Sequence, residues 1–557
     1  MGMGRRLAVY HPAGRFRLGP NMFGKDVANL ALFRALALHG GYEALGVLTN
    51  GLHDPAEMAR DLLQGRPAPP RIETAGILNQ SLAAGAGALL RGHPELEALA
   101  WSRRHRAKDR AYSLLGLVHT IAPPIIRDYI ARTSLAPIQP WDAVICTSPS
   151  VQQGLEAMFG AWLDHLGGRL GASARPMPRL ALIPLGIDLP ALQAQADPLE
   201  ARAAMRAELG LAEDDVLVIW VGRLSFFEKA FPQPMFRAVE QAAQAHPAPR
   251  LHFAMAGWFP DVAAHRPQYE AAARAYAPSA AVHFIDGNDP EALGRLWAGA
   301  DVFLSLVDNI QETFGITPLE AMAAGLPVVV SDWDGYRYTV RDGVEGFLIP
   351  TLGGPAGPFG QRMIDRHALG MESYQSYVGV AAQHTAVHVG RAAQALSDLI
   401  ASPDLRMRMG AAGRERVRTA FDWPVVAGQY NDLLDELAEI RGSTEGWPGG
   451  ADHDPVRADP FEAFAGFATQ GLGPETALSL APGVDGADLQ RSAGLTLDSF
   501  AASWRATPEE AARLLDLIGS RQAQTLAALL DRFPPPRRPH IELTVAWMAK
   551  MGMLDWL

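Results

Sequence analysis

Short runs of apolar residues between Arg6 and Pro350 predict buried strands of parallel sheets. Val216–Val221 is apolar throughout, as expected for a strand that is covered on both faces. Between such runs, apolar residues recur at helical spacing, and Val27, Leu30 and Phe33 share one face of a helix predicted to start at Asp26. Further strands, or strands running into turns, are predicted at Arg6–Tyr10, Glu43–Leu48, Leu180–Asp188, Leu251–Trp258, Val282–Gly287, Ala300–Leu306 and Leu326–Val330, and Leu117–Thr120 is predicted to end another strand. Strands that alternate with helices predict an α/β protein with doubly wound sheets.

The stretch Glu312–Gly325, ETFGITPLEAMAAG, contains a predicted helix start between two of these strands. Thr317 is a candidate N-cap, Pro318 suits the first helical position, and Glu320 follows the cap by three residues. That spacing predicts a capping box, in which Glu320 would only stabilise its own helix. We expect the helix to end at Gly325, because glycine is the residue most often found just after a helix.

The loop before this helix delivers Gly315, Ile316 and Thr317 to a helix N-terminus. Backbone N–H groups at such an end have no partner within the helix, and the helix dipole favours negative charge there. The loop therefore predicts a site for an anion, phosphate above all.

A second glycine-containing loop precedes the first predicted helix. Pro12–Gly24 is rich in Gly and Pro and carries Arg15 and Arg17, with Lys25 directly after it. Gly24 would allow close approach of an anionic group to the helix start. An ordinary tight turn is the alternative interpretation of Gly24.

The stretch around Glu312 and Glu320, with seven residues between the two acids, resembles the E-x7-E motif of the retaining, family 4 glycosyltransferases of the GT-B fold. The similarity continues through Phe314-Gly315 and Pro318–Val328. It implies two Rossmann-like doubly wound domains that face a cleft. It also implies that Glu312 lies near the donor sugar and that Glu320 holds the ribose of the nucleotide.

Two more segments carry the same resemblance. Gly222-Arg223-Leu224 with Lys229 is similar to the family motif whose Arg and Lys neutralise the donor diphosphate. The lysine follows the arginine by six residues, whereas the family spacing is five. A surface salt bridge is the alternative for both cations. Pro184–Asp188 resembles the crossing between the two GT-B domains.

His119 lies at the carboxyl end of a predicted strand and resembles the active-site histidine of the family. The resemblance implies that it orients donor hydroxyls or assists the acceptor proton; a structural role is the alternative. Asp332-Trp333-Asp334 has the spacing of a metal-binding D-x-D pair but corresponds to a loop after a family strand. We therefore expect neither a metal nor another cofactor, only a nucleotide-diphosphate sugar as donor substrate.

The order of elements predicts the domain organisation. We expect an acceptor-side Rossmann-like domain at 1–188, joined by a returning helix at 425–440, and a nucleotide-sugar-binding domain at 189–424. Thr351–Val389, rich in Gly, Tyr, His and Gln, is interpreted as an insertion that forms a surface loop with some helix. Residues 441–460 are interpreted as a linker, and 461–557 as a small, mainly helical accessory domain outside the resemblance.

Three helices are predicted in this tail, at Glu509–Ile518, Ala523–Phe533 and Ile541–Met551. Their order is faintly like that of a winged-helix module, but the tail has no basic recognition helix. A module for docking a protein partner or for homo-oligomer formation is the preferred interpretation over DNA binding.

Composition narrows the class of protein further. The 557 residues carry a net charge of −11, which argues against a nucleic-acid partner. The single cysteine, Cys146, and a short apolar run after Arg5-Arg6 favour a cytoplasmic protein without an export signal. The basic cluster Trp101–Arg110 is either a solvated helix face, a patch for peripheral contact with the inner face of the membrane, or an acceptor-binding surface.

These expectations combine into one functional hypothesis. The chain would be a retaining glycosyltransferase that moves a sugar from a nucleotide-diphosphate sugar to an unknown acceptor, either a glycan, a glycolipid or a small molecule. Two alternatives remain open from the residues: a non-catalytic nucleotide-sugar sensor with the tail as its adaptor, and a nucleotide-sugar epimerase on the same fold.

Overall fold

The computed structural model describes residues 4–14, 16, 24–66, 70–447, 450–522 and 524–557. Arg15, Arg17 and most of the loop before Gly24 lie outside the described residues. The chain divides into two compact units, one up to Asp454 and one at Pro455–Leu557. Within the described residues, no helix is long and apolar enough to cross a membrane.

The first half of the larger unit is built on a seven-stranded sheet. Its strands are β1 (Arg6–Tyr10), β2 (Ala44–Thr49), β3 (Arg71–Gly76), β4 (Ala88–Arg91), β5 (Ser113–Leu117), β6 (Ala143–Cys146) and β7 (Arg179–Leu182). The helices are α1 (Gly24–His39), α2 (Pro55–Leu63), α3 (Ser81–Ala86), α4 (Glu97–Arg106), α5 (Pro124–Arg132) and α6 (Pro149–Leu170). All pairings are parallel, in the order β3-β2-β1-β4-β5-β6-β7. The strand order reverses between β1 and β4, which is the mark of a doubly wound sheet.

The second half repeats this order with six strands. Its strands are β8 (Val216–Val221), β9 (Leu251–Gly257), β10 (Ala281–Asp286), β11 (Val302–Ser305), β12 (Val328–Ser331) and β13 (Gly346–Ile349). The helices are α7 (Leu189–Ala196), α8 (Leu199–Glu208), α9 (Gln233–Ala245), α10 (Val262–Tyr276), α11 (Pro290–Gly299), α12 (Ile316–Ala323) and α13 (Tyr336–Thr339). The parallel order is β10-β9-β8-β11-β12-β13, so the reversal lies between β8 and β11.

Helices cover both faces of the second sheet, which explains its apolar strands. On β8, Leu217 and Ile219 pack in one hydrophobic cluster, whereas Val218 and Trp220 pack in the other. A strand with two covered faces has no solvent-facing position, so its sequence loses the alternation of a half-exposed strand.

The segment after β13 is an insertion whose two ends lie side by side. It contains β14 (Thr351–Leu352), α14 (Pro358–Ala368), α15 (Tyr374–Gln383) and β15 (Ala386–Val387). Because β14 and β15 pair antiparallel, with Thr351 opposite Val387, the two helices lie between paired ends. The predicted insertion is therefore more ordered than a surface loop.

Three long helices complete the larger unit: α16 (Val389–Ala401), α17 (Pro403–Ala420) and α18 (Trp423–Ser443). The last of them returns to the first sheet's half of the unit, where Tyr42 donates a hydrogen bond to Asn431 over 2.8 Å and Arg5 pairs with Asp435 at 2.6 Å. Two doubly wound parallel sheets with a returning last helix are the architecture of the GT-B fold, so the predicted fold class is confirmed.

The smaller unit contains more than helices. Its elements are α19 (Pro460–Ala463), β16 (Leu478–Leu480), α20 (Gly486–Ala493), α21 (Pro508–Gly519), α22 (Leu526–Leu530), α23 (Arg538–Lys550) and β17 (Leu554–Trp556). Gly552 has a φ of 71° just after α23, and the chain then forms β17, which pairs antiparallel with β16. Leu554 and Trp556, which follow the last predicted helix, therefore lie in a strand.

Only part of the basic cluster Trp101–Arg110 is exposed: His105, Arg106, Lys108 and Arg110 lie at the surface, whereas Arg103 and Arg104 are buried. Arg103 is fully buried and forms two hydrogen bonds with Asp142, at 2.6 and 2.7 Å. Arg104 pairs with Asp109 at 2.7 Å. The guanidinium of Arg110 lies 4.7 Å from the ring centre of Trp141. The interpretations of the cluster as a solvated face, a membrane patch or an acceptor-binding surface remain predictions for its exposed residues.

Candidate active site at the switch point of the second sheet

The site is built on the loops that follow β8 and β11, two neighbouring strands. From the carboxyl ends of these strands the chain continues in opposite directions across the sheet, which leaves a crevice between the loops. Gly222-Arg223-Leu224 follows β8 directly, and Glu312 lies in the loop between β11 and α12. The fold therefore brings two of the predicted site segments to one edge.

Each predicted cation has a carboxylate partner. The Nζ of Lys229 lies 3.1 Å from Oε2 of Glu312. The Nη1 of Arg223 lies 2.9 Å from Oε2 of Glu228, and its guanidinium is 5.8 Å from the ring centre of Trp258. The pair between Lys229 and Glu312 joins the loop after β8 to the loop after β11.

The two acids of the E-x7-E stretch have opposite electrostatic environments. Burial opposes ionisation of Glu312, but Lys229 and the backbone N–H groups of Thr313 and Phe314 outweigh burial and hold its pKa below the ordinary value. Burial alone raises the pKa of Glu320 to about 7. Among the described residues, no hydrogen bond or ion pair reaches the carboxylate of Glu320. An unpaired, partly buried carboxylate on α12 is therefore available to a ligand.

The start of α12 differs from the predicted capping box. Gly315 is the N-cap, with a φ of 86° and no side-chain cap, and the helix starts at Ile316. A Cβ at Gly315 would collide with the ring of Tyr336, so both the space and the backbone angle require glycine. Thr317 and Glu320 consequently lie inside the helix, and the predicted capping role of both residues was wrong.

The loop of Gly315, Ile316 and Thr317 still forms a helix N-terminus, as the sequence predicts. The N–H groups of Ile316 and Thr317 belong to the first turn, where no preceding helical carbonyl can accept them. These groups and the positive end of α12 favour an anion at this edge.

His119 lies just beyond β5, at the carboxyl edge of the first sheet. Its Nε2 lies 2.8 Å from Oδ1 of Asn29, whose Nδ2 donates to the carbonyl of Gly92 over 2.9 Å. Because the amide nitrogen of Asn29 is used by Gly92, its oxygen faces the imidazole, and this assigns the ring proton to Nε2. Burial, with nearby His93 and Lys25, lowers the pKa of His119 to about 4, although the Gly92 carbonyl opposes them. The imidazole is neutral at physiological pH.

Hydrogen bonds connect the edges of the two sheets. Thr313 donates through Oγ1 to the carbonyl of His119 over 2.6 Å. Ser148 donates to Oδ1 of Asp334 over 2.7 Å. Through Thr313 and its neighbour Glu312, the structure brings His119, Glu312 and Lys229 into one network, while Arg223 lies one pair away and Glu320 stands apart on α12.

Gly24 is the first residue of α1, so the helix starts before the predicted position at Asp26. A Cβ added there would meet no atom of the described residues within 4 Å, so nothing in this part of the chain requires a glycine at the position. The phosphate-binding role expected of Gly24 remains a prediction.

A cavity of about 440 Å³ borders Glu312 on the side of the first sheet. Its walls come from both halves of the unit and from the insertion, and they include Arg127, Ser150, Glu312, Trp333, Asp334 and Tyr377. Asp334 has a φ of 33°, unusual for a residue with a side chain. Burial raises the pKa of its carboxyl group to about 6.

Sequence reasoning missed Asn29, Glu228, Asp334 and Tyr374 as members or neighbours of the site. Glu228 was adjacent to a predicted cation, and Asn29 was a polar residue in an apolar helix. The signal for Asn29 was weak because its partners, Gly92 and His119, lie far away in the chain. Among the described residues, no group of three or more His, Cys, Asp or Glu side chains could hold a metal ion. Asp332 instead pairs with Arg337 at 2.7 Å.

Comparison with curated proteins gives relatives over part of the chain. The D-inositol 3-phosphate glycosyltransferase of Nocardia farcinica is 34% identical over 173 residues, which is 31% of this chain and 36% of the relative. The spore coat protein SA of Bacillus subtilis is 26% identical over 227 residues, or 41% of this chain and 50% of the relative. The chain thus spans about a third to a half of the length of these relatives.

Among solved structures, the Anabaena protein HepE in complex with UDP aligns with a TM-score of 0.49 and 15% identity, over 78% of this chain and 100% of that chain. Sucrose-phosphate synthase from Thermosynechococcus elongatus aligns with a TM-score of 0.48 and 19% identity, over 78% of this chain and 100% of that chain.

Residues 201–352, which carry Arg223, Lys229, Glu312 and Glu320, match the family model of the glycosyl transferases group 1.

Proposed function

We propose that this protein transfers a sugar from a nucleotide-diphosphate sugar to an acceptor hydroxyl, with retention of the anomeric configuration. The observation that carries the proposal is the junction of two loops at the switch point of the second sheet. There Lys229 meets Glu312, Arg223 lies on the same loop as Lys229, and α12 starts just beyond Glu312. The match of residues 201–352 to the family model of the glycosyl transferases group 1 supports the same chemistry.

The charge distribution suits departure of a nucleoside diphosphate. When the bond between the anomeric carbon and the β-phosphate oxygen breaks, negative charge grows on the diphosphate. Two cations and a helix N-terminus already aimed at that charge can supply several kcal/mol in a water-poor crevice. We assign Arg223, Lys229 and the N–H groups of the Gly315–Thr317 loop to the diphosphate. Because these groups provide the positive charge, the proposed reaction calls for no metal cofactor.

The remaining residues suit the neutral parts of the donor. Glu320 has a carboxylate without a partner among the described residues, and we propose that it accepts hydrogen bonds from the ribose hydroxyls. Glu312 and His119 are joined through Thr313, and we assign both to the donor sugar. The neutral imidazole of His119 keeps a lone pair on Nδ1 and can accept a hydrogen bond from a sugar hydroxyl.

For retention, we propose a front-face displacement. Glu312 is tied to Lys229 and to two backbone N–H groups, which makes it a weak nucleophile. In the proposed step the acceptor oxygen forms a bond to the anomeric carbon on the face that the diphosphate leaves. The acceptor proton passes to the departing phosphate oxygen, so the products are the glycoside and the nucleoside diphosphate. A glycan, a glycolipid or a small molecule can supply the acceptor hydroxyl.

Calorimetric titration with UDP, GDP and ADP tests the donor assignment. We expect one of the three nucleotides to bind selectively and Glu320→Ala to weaken its binding at least about tenfold, because a charged hydrogen bond contributes roughly 1.5–3 kcal/mol. Glu200→Ala, an exposed position on α8, is the matched control and should leave binding unchanged. Binding of none of the three nucleotides would overturn the proposal. Binding without turnover, across a panel of acceptors, would favour a sensor.

A further inference from the structure

The insertion between β13 and α16 starts where the family match ends. The matched segment stops at residue 352, and the paired strands β14 and β15 bracket the excursion from Thr351 to Val387. Nothing in the family match therefore accounts for α14 or α15. These two helices differ in burial: α14 has no buried residue, whereas α15 buries Val378, Gly379 and Ala382.

Helix α15 contacts the loop that carries Glu312. Tyr374, its first residue, donates a hydrogen bond from its hydroxyl to Oε1 of Gln311 over 2.7 Å. Gln311 directly precedes Glu312 in the chain, and its Nε2 donates to the carbonyl of Glu228 over 3.3 Å. One amide side chain thus connects α15 to the loops after both β8 and β11.

Helix α15 also packs on the loop that carries the two cations. Gln375 donates through Nε2 to Oε1 of Glu228 over 3.3 Å, while Oε2 of the same carboxylate pairs with Arg223. One turn further along α15, a Cβ at Gly379 would lie 2.9 Å from Cβ of Phe227. This close contact requires a glycine at position 379, and it sets the distance between helix α15 and the loop.

We propose that helix α15 is a donor-site clamp, in which Tyr374, Gln375 and Gly379 hold the loops after β8 and β11 together and so position Arg223, Lys229 and Glu312. The contacts carry this assignment, and what the loops hold rests on the proposed function. None of the three clamp residues contacts the diphosphate directly in this scheme. They are positioning residues that act through Gln311, Glu228 and Phe227.

The proposed clamp would order the two loops that carry the charged side chains of the site. The segments 222–232 and 306–315 contain no helix or strand, yet they carry the three charged side chains that must meet one ligand. Ordering such loops at the moment of binding costs conformational entropy, and contacts made beforehand remove that cost. Packing from a helix outside both loops is one way to order them in advance.

The main test compares Tyr374→Phe with Gly360→Ala. The first change removes only the hydroxyl that bonds Gln311; the second alters a glycine of α14 beside which an added Cβ meets no described atom within 4 Å. Each variant is titrated with the tightest-binding nucleotide among UDP, GDP and ADP and with the matching monophosphate. For Tyr374→Phe we expect diphosphate affinity to fall about five- to tenfold, since one hydrogen bond contributes about 1 kcal/mol, and monophosphate affinity to change less than about twofold.

A purely structural role predicts a different pattern. General loosening of the fold would lower both affinities in parallel, and either that result or unchanged diphosphate affinity would overturn the clamp. Gly379→Ala is the second variant, because its added methyl group must displace the helix from Phe227. It should reproduce the selective loss for the diphosphate.

Amide hydrogen exchange tests the clamp in the protein without nucleotide. In Tyr374→Phe, amide protection should fall in the segments 222–232 and 306–315 and stay unchanged in Gly360→Ala. Unaltered protection in both loops would contradict the clamp. If the wild type binds no nucleotide, the proposed function fails, while the exchange experiment still decides whether α15 holds the two loops.

Discussion

The two sheets of the larger unit share one strand order, but the edges where the order reverses carry different chemistry. At the second sheet, two cations meet two carboxylates within about 3 Å. At the first sheet, the imidazole of His119 faces the neutral amide of Asn29, and burial lowers its pKa to about 4. The same topology provides a crevice at both edges.

The difference between the two crevices shows that the fold determines where a crevice forms, whereas the side chains determine what it can bind. A reversal of strand order leaves an opening whatever residues surround it, whereas the residues directly after the strands decide whether that opening suits charge or hydroxyl groups. We call the loops after β8 and β11, with Arg223 and Glu312, the second edge, and the carboxyl edge of the first sheet, with Asn29 and His119, the first edge. We therefore expect substitutions at the second edge to change nucleotide affinity. Substitutions at the first edge should change turnover and leave nucleotide affinity unchanged.

The largest effect is expected from Arg223→Ala. The change removes a cation of the second edge and leaves the buried carboxylate of Glu228 without its ion pair, close to where the diphosphate would lie. Diphosphate affinity should fall about 100-fold, as expected for loss of charged hydrogen bonds plus a newly unpaired acid. Calorimetric titration with the diphosphate measures this affinity. Arg391→Ala, at an exposed position of α16, is the control, and equal affinities for both variants would remove Arg223 from the diphosphate site.

A pH series examines the other acid of the second edge. Burial raises the pKa of Glu320 to about 7, so acidification to pH 6 protonates most of this group in the free protein. If the ribose hydroxyls donate to the ionised carboxylate, nucleotide affinity should fall about tenfold between pH 8 and pH 6. Glu320→Gln should bind weakly with a flat pH profile over this range.

The same pKa fixes the sign of a stability effect. A carboxyl group whose pKa is higher in the folded than in the unfolded protein costs stability once it ionises, so that cost grows as pH rises from about 4.5 to about 7. Glu320→Gln should therefore be more stable than the wild type at pH 8 and similar to it at pH 4. A variant that is less stable at pH 8 would contradict the unpaired carboxylate.

The fold and the charged motifs of the second edge could be predicted because their signals are local. Val216–Val221 was predicted to the residue, since a strand buried on both faces is apolar throughout. In contrast, β3 and β4 were missed. The first is a partly exposed edge strand, and the second has only four residues, so neither carries a long apolar run.

Errors arose where a local pattern competes with tertiary contacts. The T-x-x-E spacing at Thr317 is that of a capping box, but the N-cap is Gly315, where the ring of Tyr336 leaves no room for a side chain. Arg103 lies in a basic run, yet Asp142, 39 residues away, draws it into the core. The contact between Gln375 and Glu228 spans 147 residues, and no sequence period records it.

A change at the first edge should have a smaller effect than one at the second. Asn29→Asp would put a carboxylate where an amide oxygen now lies 2.8 Å from Nε2 of His119. The new charge favours the imidazolium and should raise the pKa of His119 towards neutrality, against the opposing effects of His93 and Lys25. Turnover at pH 7 should fall roughly three- to tenfold, recovering as pH rises, while diphosphate affinity stays within about twofold of the wild type. A matching loss of affinity would show that the two edges do not divide the work as proposed.

The smallest effect is expected from Thr313→Val, which cuts a hydrogen bond between the edges. Valine keeps the shape of threonine but cannot donate to the carbonyl of His119. The free energy of unfolding should fall by about 1 kcal/mol, and turnover by about two- to threefold, because the Ser148–Asp334 bond still connects the sheets. Thr419→Val is the matched control, since the bonds of the Thr419 hydroxyl within the described part of the chain go to carbonyls of its own helix, α17.

Nucleotide affinity decides how the Thr313 result bears on the comparison. If Thr313→Val leaves the affinity unchanged and only slows turnover, the two edges act in succession: the second holds the donor, and the first orients its sugar. If the affinity falls as far as in Arg223→Ala, the bond between Thr313 and His119 is part of the binding site itself. The edges would then form one cooperative unit, and the neutral histidine would contribute to donor affinity as much as the charged loops do.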